Sequence, residues 1–79
     1  MTVSRIAAAD APAAVGPYSQ AVSTGAAAGS TVYISGQVPL DPATGALVEG
    51  GVEAQAEQVL KNVGAILVEA GLGYADVVK

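Results

Sequence analysis

Two short glycine-bearing polar runs hold the residues best suited to chemistry in this chain, Gly16-Pro17-Tyr18-Ser19-Gln20 and Ile34-Ser35-Gly36-Gln37-Val38-Pro39. Tyr18 offers a phenol at the start of a strand, Ser35 a hydroxyl at the end of one, and Gly36 a stretch of bare backbone that a ligand can approach closely. Together they suit facing walls of a pocket for a small polar molecule. Each also has a plainer use: a tyrosine that packs its ring and solvates its hydroxyl, and a serine that satisfies a carbonyl at a strand end. Gln37 donates either to a ligand or to the loop that follows it. Ser35 is not read as a nucleophile, because the chain has no histidine to act as its base.

Three carboxylates, Glu49, Glu53 and Glu57, recur every four residues and would line one side of a helix, as a pair of acids in acid–base catalysis must. Their position at a helix start explains them more simply, through the positive end of the helix dipole. The stretch between Gly25 and Gly29 lacks the lysine of a phosphate-binding loop, and Gly71-Leu72-Gly73 reads as a helix end rather than half of a dinucleotide fingerprint.

Whole function classes fall away on composition. Seven acidic and three basic residues leave a net charge of -4, which repels the phosphate backbone, so no nucleic-acid partner is expected. With neither cysteine nor histidine there is no disulfide, no thiolate and essentially no ligand set for a structural zinc, so no metal is expected. No apolar run approaches the roughly 18 residues of a membrane span, and the N-terminus lacks the apolar segment of a signal peptide. A membrane partner is therefore not expected, and a cytoplasmic location is.

The elements that must position the two runs follow from local pattern. Val3 to Ala8 reads as a weak edge strand ended by Asp10, Ala11 and Pro12. Tyr18 to Ser23 and Thr31 to Ser35 read as antiparallel strands, joined by a hairpin connection from Thr24 to Ser30. Asp41-Pro42-Ala43-Thr44-Gly45 is an ordered turn. From Val52 to Ala70 the apolar residues Val52, Ala56, Val59, Leu60, Val63, Leu67 and Ala70 recur at three and four, which predicts a helix with that line as its buried face. Glu57 pairs with Lys61 one turn on, and Gly71 ends the helix with Leu72 closing over it. Tyr74 to Lys79 reads as the beginning of a fourth strand. At 79 residues with no Phe or Trp, one domain with a thin core is the ceiling. Burial of only about 60% of the unfolded surface makes association an expected supplement in a chain of this size.

From about Ala11 to Lys79 the two runs and this order of elements resemble the RidA (YjgF) family of reactive-intermediate deaminases. The resemblance implies an α+β, chorismate-mutase-like fold in which a mixed sheet is backed by helices. Residues 1–79 would form a single domain carrying about three strands, one helix and the start of a fourth strand, with the C-terminal part of the family's domain missing. It implies a homotrimer with the pocket between adjacent subunits, and places Tyr18, Ser35 and Gly36 in the substrate-binding wall. The family's carboxylate-gripping arginine, from a later strand, and its water-positioning glutamate match nothing in this sequence. Arg5, the only arginine, does not correspond to the former. The implied activity is hydrolysis of imines and enamines to 2-oxo acids and ammonia, as a 2-iminobutanoate/2-iminopropanoate deaminase, with no cofactor. A chain that lacks both residues is expected to be inactive alone. The alternative is a non-catalytic member that binds a small metabolite or a protein in the same cleft. A ribonuclease role, attached to some relatives, is weakened by the acidic charge.

Overall fold

The computed structural model describes residues 3–16, 18–24 and 30–79. Three strands, β1 (Val3–Ile6), β2 (Ala21–Thr24) and β3 (Thr31–Ile34), form one antiparallel sheet in the order β1-β2-β3. A single long helix, α1 (Val52–Glu69), packs on one face of it. This is the α+β arrangement expected, although the three strands are wholly antiparallel rather than mixed. β1 is an edge strand as its weak alternation predicts. The Gly25 and Gly29 connection lies outside the described residues, as does Pro17.

The register sorts the sheet into two faces. Ile6 pairs with Ala21 and Ala21 with Ile34, and this row, with Val32, packs against the core of Ala8, Ala11, Ala21 and Ile66. Side chains alternate along a strand, so the row Arg5–Val22–Tyr33 turns to the opposite face. Ile66 alone plugs the centre from the helix and is fully buried, worth roughly 1.5–3 kcal/mol of apolar burial. Leu67, one residue on, is also buried, and the rest of the core is alanine, which contributes less per side chain.

The segment after β3 folds as a small hairpin. Leu40 bridges Leu47, Asp41 N–H donates to the Ala46 carbonyl at 2.9 Å and Val48 N–H to the Pro39 carbonyl at 3.0 Å. At its tip the Asp41 carboxylate accepts from Ala43 N–H at 2.8 Å, and Gly45 takes the positive φ of 74° that the turn requires.

Helix α1 begins and ends where local signals place it. Glu53 lies in its first turn, Glu57 meets Lys61 at 3.5 Å, and the C-terminus closes as a Schellman motif. There Leu72 N–H donates to the Leu67 carbonyl at 2.8 Å and Gly71, at φ 78°, donates to Val68 at 2.9 Å.

Its orientation agrees with the apolar count only in part: Leu67 of the predicted line is buried and Val59, Val63 and Ala70 are half-buried, whereas Val52, Ala56 and Leu60 stand exposed. The buried residues are Asn62, Ile66 and Leu67, with Gln58 and Val59 half-buried beside them; the Asn62–Ile66 line lies about a quarter-turn from that of Val52, Ala56 and Leu60. Val52 is 77% and Leu60 57% exposed. The reason is Asn62, a fully buried amide whose Nδ2 donates to the carbonyls of Val38 and Leu40, both at 3.1 Å. Its Oδ1 accepts from Gln58 Nε2 at 2.8 Å. The helix is turned so that this polar residue faces the post-β3 segment and satisfies its carbonyls.

The tail also departs from expectation. Tyr74 to Lys79 is not a strand: Tyr74–Asp76 forms a 3-10 turn, and Val77 and Val78 follow with no strand partner among the described residues. Asp76 caps the turn by accepting from Gly73 N–H at 3.0 Å, and the Tyr74 hydroxyl donates to the Leu60 carbonyl. Strand propensity lost to a local cap and one side-chain anchor. That anchor needs Gly64, where an added Cβ would sit 2.9 Å from Tyr74 Cζ. Among the described residues no helix is long and apolar enough to cross a membrane.

Candidate functional site

The chain enters β2 through the first polar run, and its two ends are handled differently. Gln20 is buried and fully engaged: its Oε1 accepts from Ala8 N–H at 2.5 Å, and its Nε2 donates to the Pro12 carbonyl at 2.6 Å and to those of Ala8 and Ala11 at 3.3 Å. This amide clamps the turn between β1 and the first run against the sheet. Tyr18, two residues earlier, stands just before β2 rather than in it and is 51% exposed. Gly16, at φ 121°, turns the chain into it, and Tyr18 N–H returns a bond to the Gly16 carbonyl at 2.9 Å.

The Tyr18 oxygen accepts from Val15 N–H at 3.3 Å. A phenol oxygen that accepts in this way keeps its own proton available to donate. The ring borders an open groove of about 590 Å³ whose walls are largely alanine, including Ala7, Ala9 and Ala13, with Ser19 on one side and Pro42 of the hairpin tip closing another. A volume of this order suits a small molecule.

Arg5 lines the same groove and is the only charged side chain that does so among the described residues. It makes no ion pair there, the one such pair among the described residues being Lys61 with Glu57. The family resemblance assigns Arg5 no role. The signal available was the pattern of β1 itself, which puts Arg5 on the face opposite Ile6.

The second run lies apart from this groove. Ser35 Oγ donates to the Ser19 carbonyl at 2.6 Å, and Ser35 N–H donates to the Gln20 carbonyl at 2.9 Å. The two polar runs are thus tied together through backbone oxygens, and Ser35 engages a strand-end carbonyl. Gln37 Nε2 donates to the Ser35 carbonyl at 3.2 Å, holding the loop. Gly36 is exposed, with nothing within 4 Å of where a Cβ would stand. The structure therefore brings Tyr18 and Arg5 to one groove and leaves Ser35 and Gly36 on the neighbouring turn. The carboxylates Glu49, Glu53 and Glu57 lie outside the groove lining.

A family model described as Endoribonuclease L-PSP matches residues 8–79. Over 69 residues the chain is 58% identical to the mouse protein named 2-iminobutanoate/2-iminopropanoate deaminase, covering 87% of this chain and 48% of that one. The chain belongs to the RidA family. The human protein of the same name is 53% identical over 74 residues, covering 94% of this chain and 51% of its own length. The solved structure of RidA from the Antarctic bacterium Psychrobacter sp. PAMC 21119 superposes with a TM-score of 0.80 at 52% identity, over 95% of this chain and 57% of that one. The chain thus spans about half the length of the curated RidA-family relatives it matches.

Proposed function

We propose that this chain carries the N-terminal wall of a 2-iminobutanoate/2-iminopropanoate deaminase. The observation that supports this reading most is the 58% identity to the mouse protein of that name. The reaction adds water to the C=N carbon of a 2-imino acid and expels ammonia, leaving a 2-oxo acid. The imine carbon is already electrophilic, so the protein's task is to hold the carboxylate, place a water and assist proton transfer. The enamine tautomer enters by protonation at carbon. No cofactor takes part.

In this reading Tyr18, Ser35 and Gly36 form the substrate wall. Tyr18 donates its free hydroxyl proton to the substrate, Gly36 admits it against bare backbone, and Ser35 keeps the two polar runs in register. The assembly is a homotrimer in the cytoplasm, with the pocket completed across subunits. The family's arginine and glutamate, which match nothing in this sequence, supply the clamp and the water-positioning acid from the remainder of the domain.

The test joins the 79-residue chain to the C-terminal remainder of the mouse relative and follows 2-oxobutanoate formation from 2-iminobutanoate generated in situ. The joined protein is expected to accelerate hydrolysis and the chain alone to stay at the buffer rate. Tyr18→Phe should lower kcat/KM of the joined protein by roughly 2- to 10-fold, the value of one hydroxyl contact. A joined protein that folds as a trimer yet gives no rate would overturn the deaminase reading.

A further inference from the structure

We propose that Arg5 is the cationic contact of a small-carboxylate site built by this chain itself, in the groove between β1, Tyr18 and the hairpin tip. Three observations converge on it. Arg5 is the single charged side chain lining the groove among the described residues, and no carboxylate neutralises it there. In a chain of net charge -4, that isolates one positive centre on an acidic surface, and an unpaired guanidinium is a fork made for a carboxylate. On the lining of the same groove, the Tyr18 hydroxyl has its oxygen engaged by Val15 N–H and its proton free, so it donates and does not compete as an acceptor.

The remaining polar lining group with a long reach, the Gln20 amide, is held by the backbone of residues 8–12 and offers the ligand nothing. The rest of the wall is small. Ala7, Ala9 and Ala13 leave room for a short apolar chain but supply no polar partner for a second charge. One cation, the neutral hydroxyls of Tyr18 and Ser19, and alanine walls suit a monocarboxylate of a few carbons, because a dicarboxylate or a phosphate ester would leave its second charge without a cation. Naming 2-oxo acids as the ligand class rests on the deaminase reading above; the carboxylate site itself does not.

Titrating the full 79-residue chain with pyruvate, observed by NMR chemical shifts of residues 5–20, tests this. Shifts that saturate and map to Arg5, Ala7, Ala9 and Tyr18 are expected. Arg5→Gln should weaken binding about tenfold or more, the loss of a charged hydrogen bond, and Arg5→Lys should restore part of it. Pyruvamide, neutral but otherwise alike, should bind weakly and equally to the parent chain and to Arg5→Gln. Equal pyruvate affinity in the parent and Arg5→Gln, or no saturable shifts at all in the parent, would overturn the proposal. The two readings fail separately. Pyruvate binding that depends on Arg5, in a joined trimer without turnover, upholds the site and removes the deaminase. Turnover whose KM ignores Arg5→Gln does the reverse.

Discussion

The two sides of helix α1 differ in how they treat polar and apolar residues: the inner side buries an amide beside Ile66 and Leu67, and the outer side leaves apolar residues in solvent. On the inner side stands Asn62, fully buried, with all its hydrogen-bonding groups placed against Val38, Leu40 and Gln58. On the outer side Val52, Leu60 and Val68 stand in solvent. A buried amide is costly unless every group is paired, and here it is paired three times. The exposed valines and leucine make no comparable demand, since single apolar residues at a surface are ordinary. What orients the helix is therefore the need of the post-β3 segment for donors to its carbonyls. Gln20 plays the same part just before β2, where one amide holds the backbone of residues 8–12.

The comparison breaks most decisively at Asn62. Asn62→Leu, close in shape, strips two carbonyls of their donors and the Gln58 amide of its acceptor, and should cost about 2–4 kcal/mol. A 79-residue chain commonly has only about 4–12 kcal/mol in total. The urea midpoint should fall sharply while the slope stays constant. A stability loss, midpoint change times slope, of under about 0.5 kcal/mol would mean that apolar burial, and not the amide, sets the helix's orientation.

These two sides also explain what was legible in the sequence. β2 and β3, the Asp41 to Gly45 turn, the span of α1 and its end at Gly71 all rest on signals within a few residues, and local chemistry decides them. The helix face was legible only in part: Leu67, Val59, Val63 and Ala70 do turn inward, but a count of apolar residues gives no weight to Asn62, whose partners lie 22 and 24 residues away. Tyr74 to Lys79 misled in the same way: its β-branched valines favour a strand, but Asp76 and the reach of Tyr74 to Leu60 across Gly64 favour a turn. At the groove, Tyr18 was legible from its motif. Arg5 was not, because only the pairing register and the folded-back residues 8–12 bring it to the groove that Tyr18 lines.

A smaller effect sharpens the role of the tail. Gly64→Ala should gain up to about 1 kcal/mol of helix propensity while forcing the Tyr74 ring off its seat and losing a hydrogen bond worth about 0.5–1.5 kcal/mol. The two nearly cancel, so global stability should move little. Amide exchange at Asp76 and Val77 should nonetheless rise, because both N–H groups bond within a turn that Tyr74 anchors. Tyr74→Phe should raise the same exchange without the helical gain. Unchanged protection in both variants would show that the 3-10 turn stands on its Asp76 cap alone.

The smallest expected effect lies on the outer side of the helix. Leu60 is more than half exposed, so Leu60→Gln removes little buried area in the isolated chain and should change stability by less than about 0.5 kcal/mol, as surface substitutions usually do. Its backbone carbonyl, which receives the Tyr74 hydroxyl, is untouched by the change. The measurement is worth making at two protein concentrations. If the parent's midpoint rises with concentration and Leu60→Gln abolishes the rise, a second copy covers the Val52 and Leu60 side in solution, because association stabilises by mass action. A loss of 1 kcal/mol or more that is independent of concentration would mean instead that Leu60 is buried within the chain, and that the contrast between the two sides of α1 is wrong.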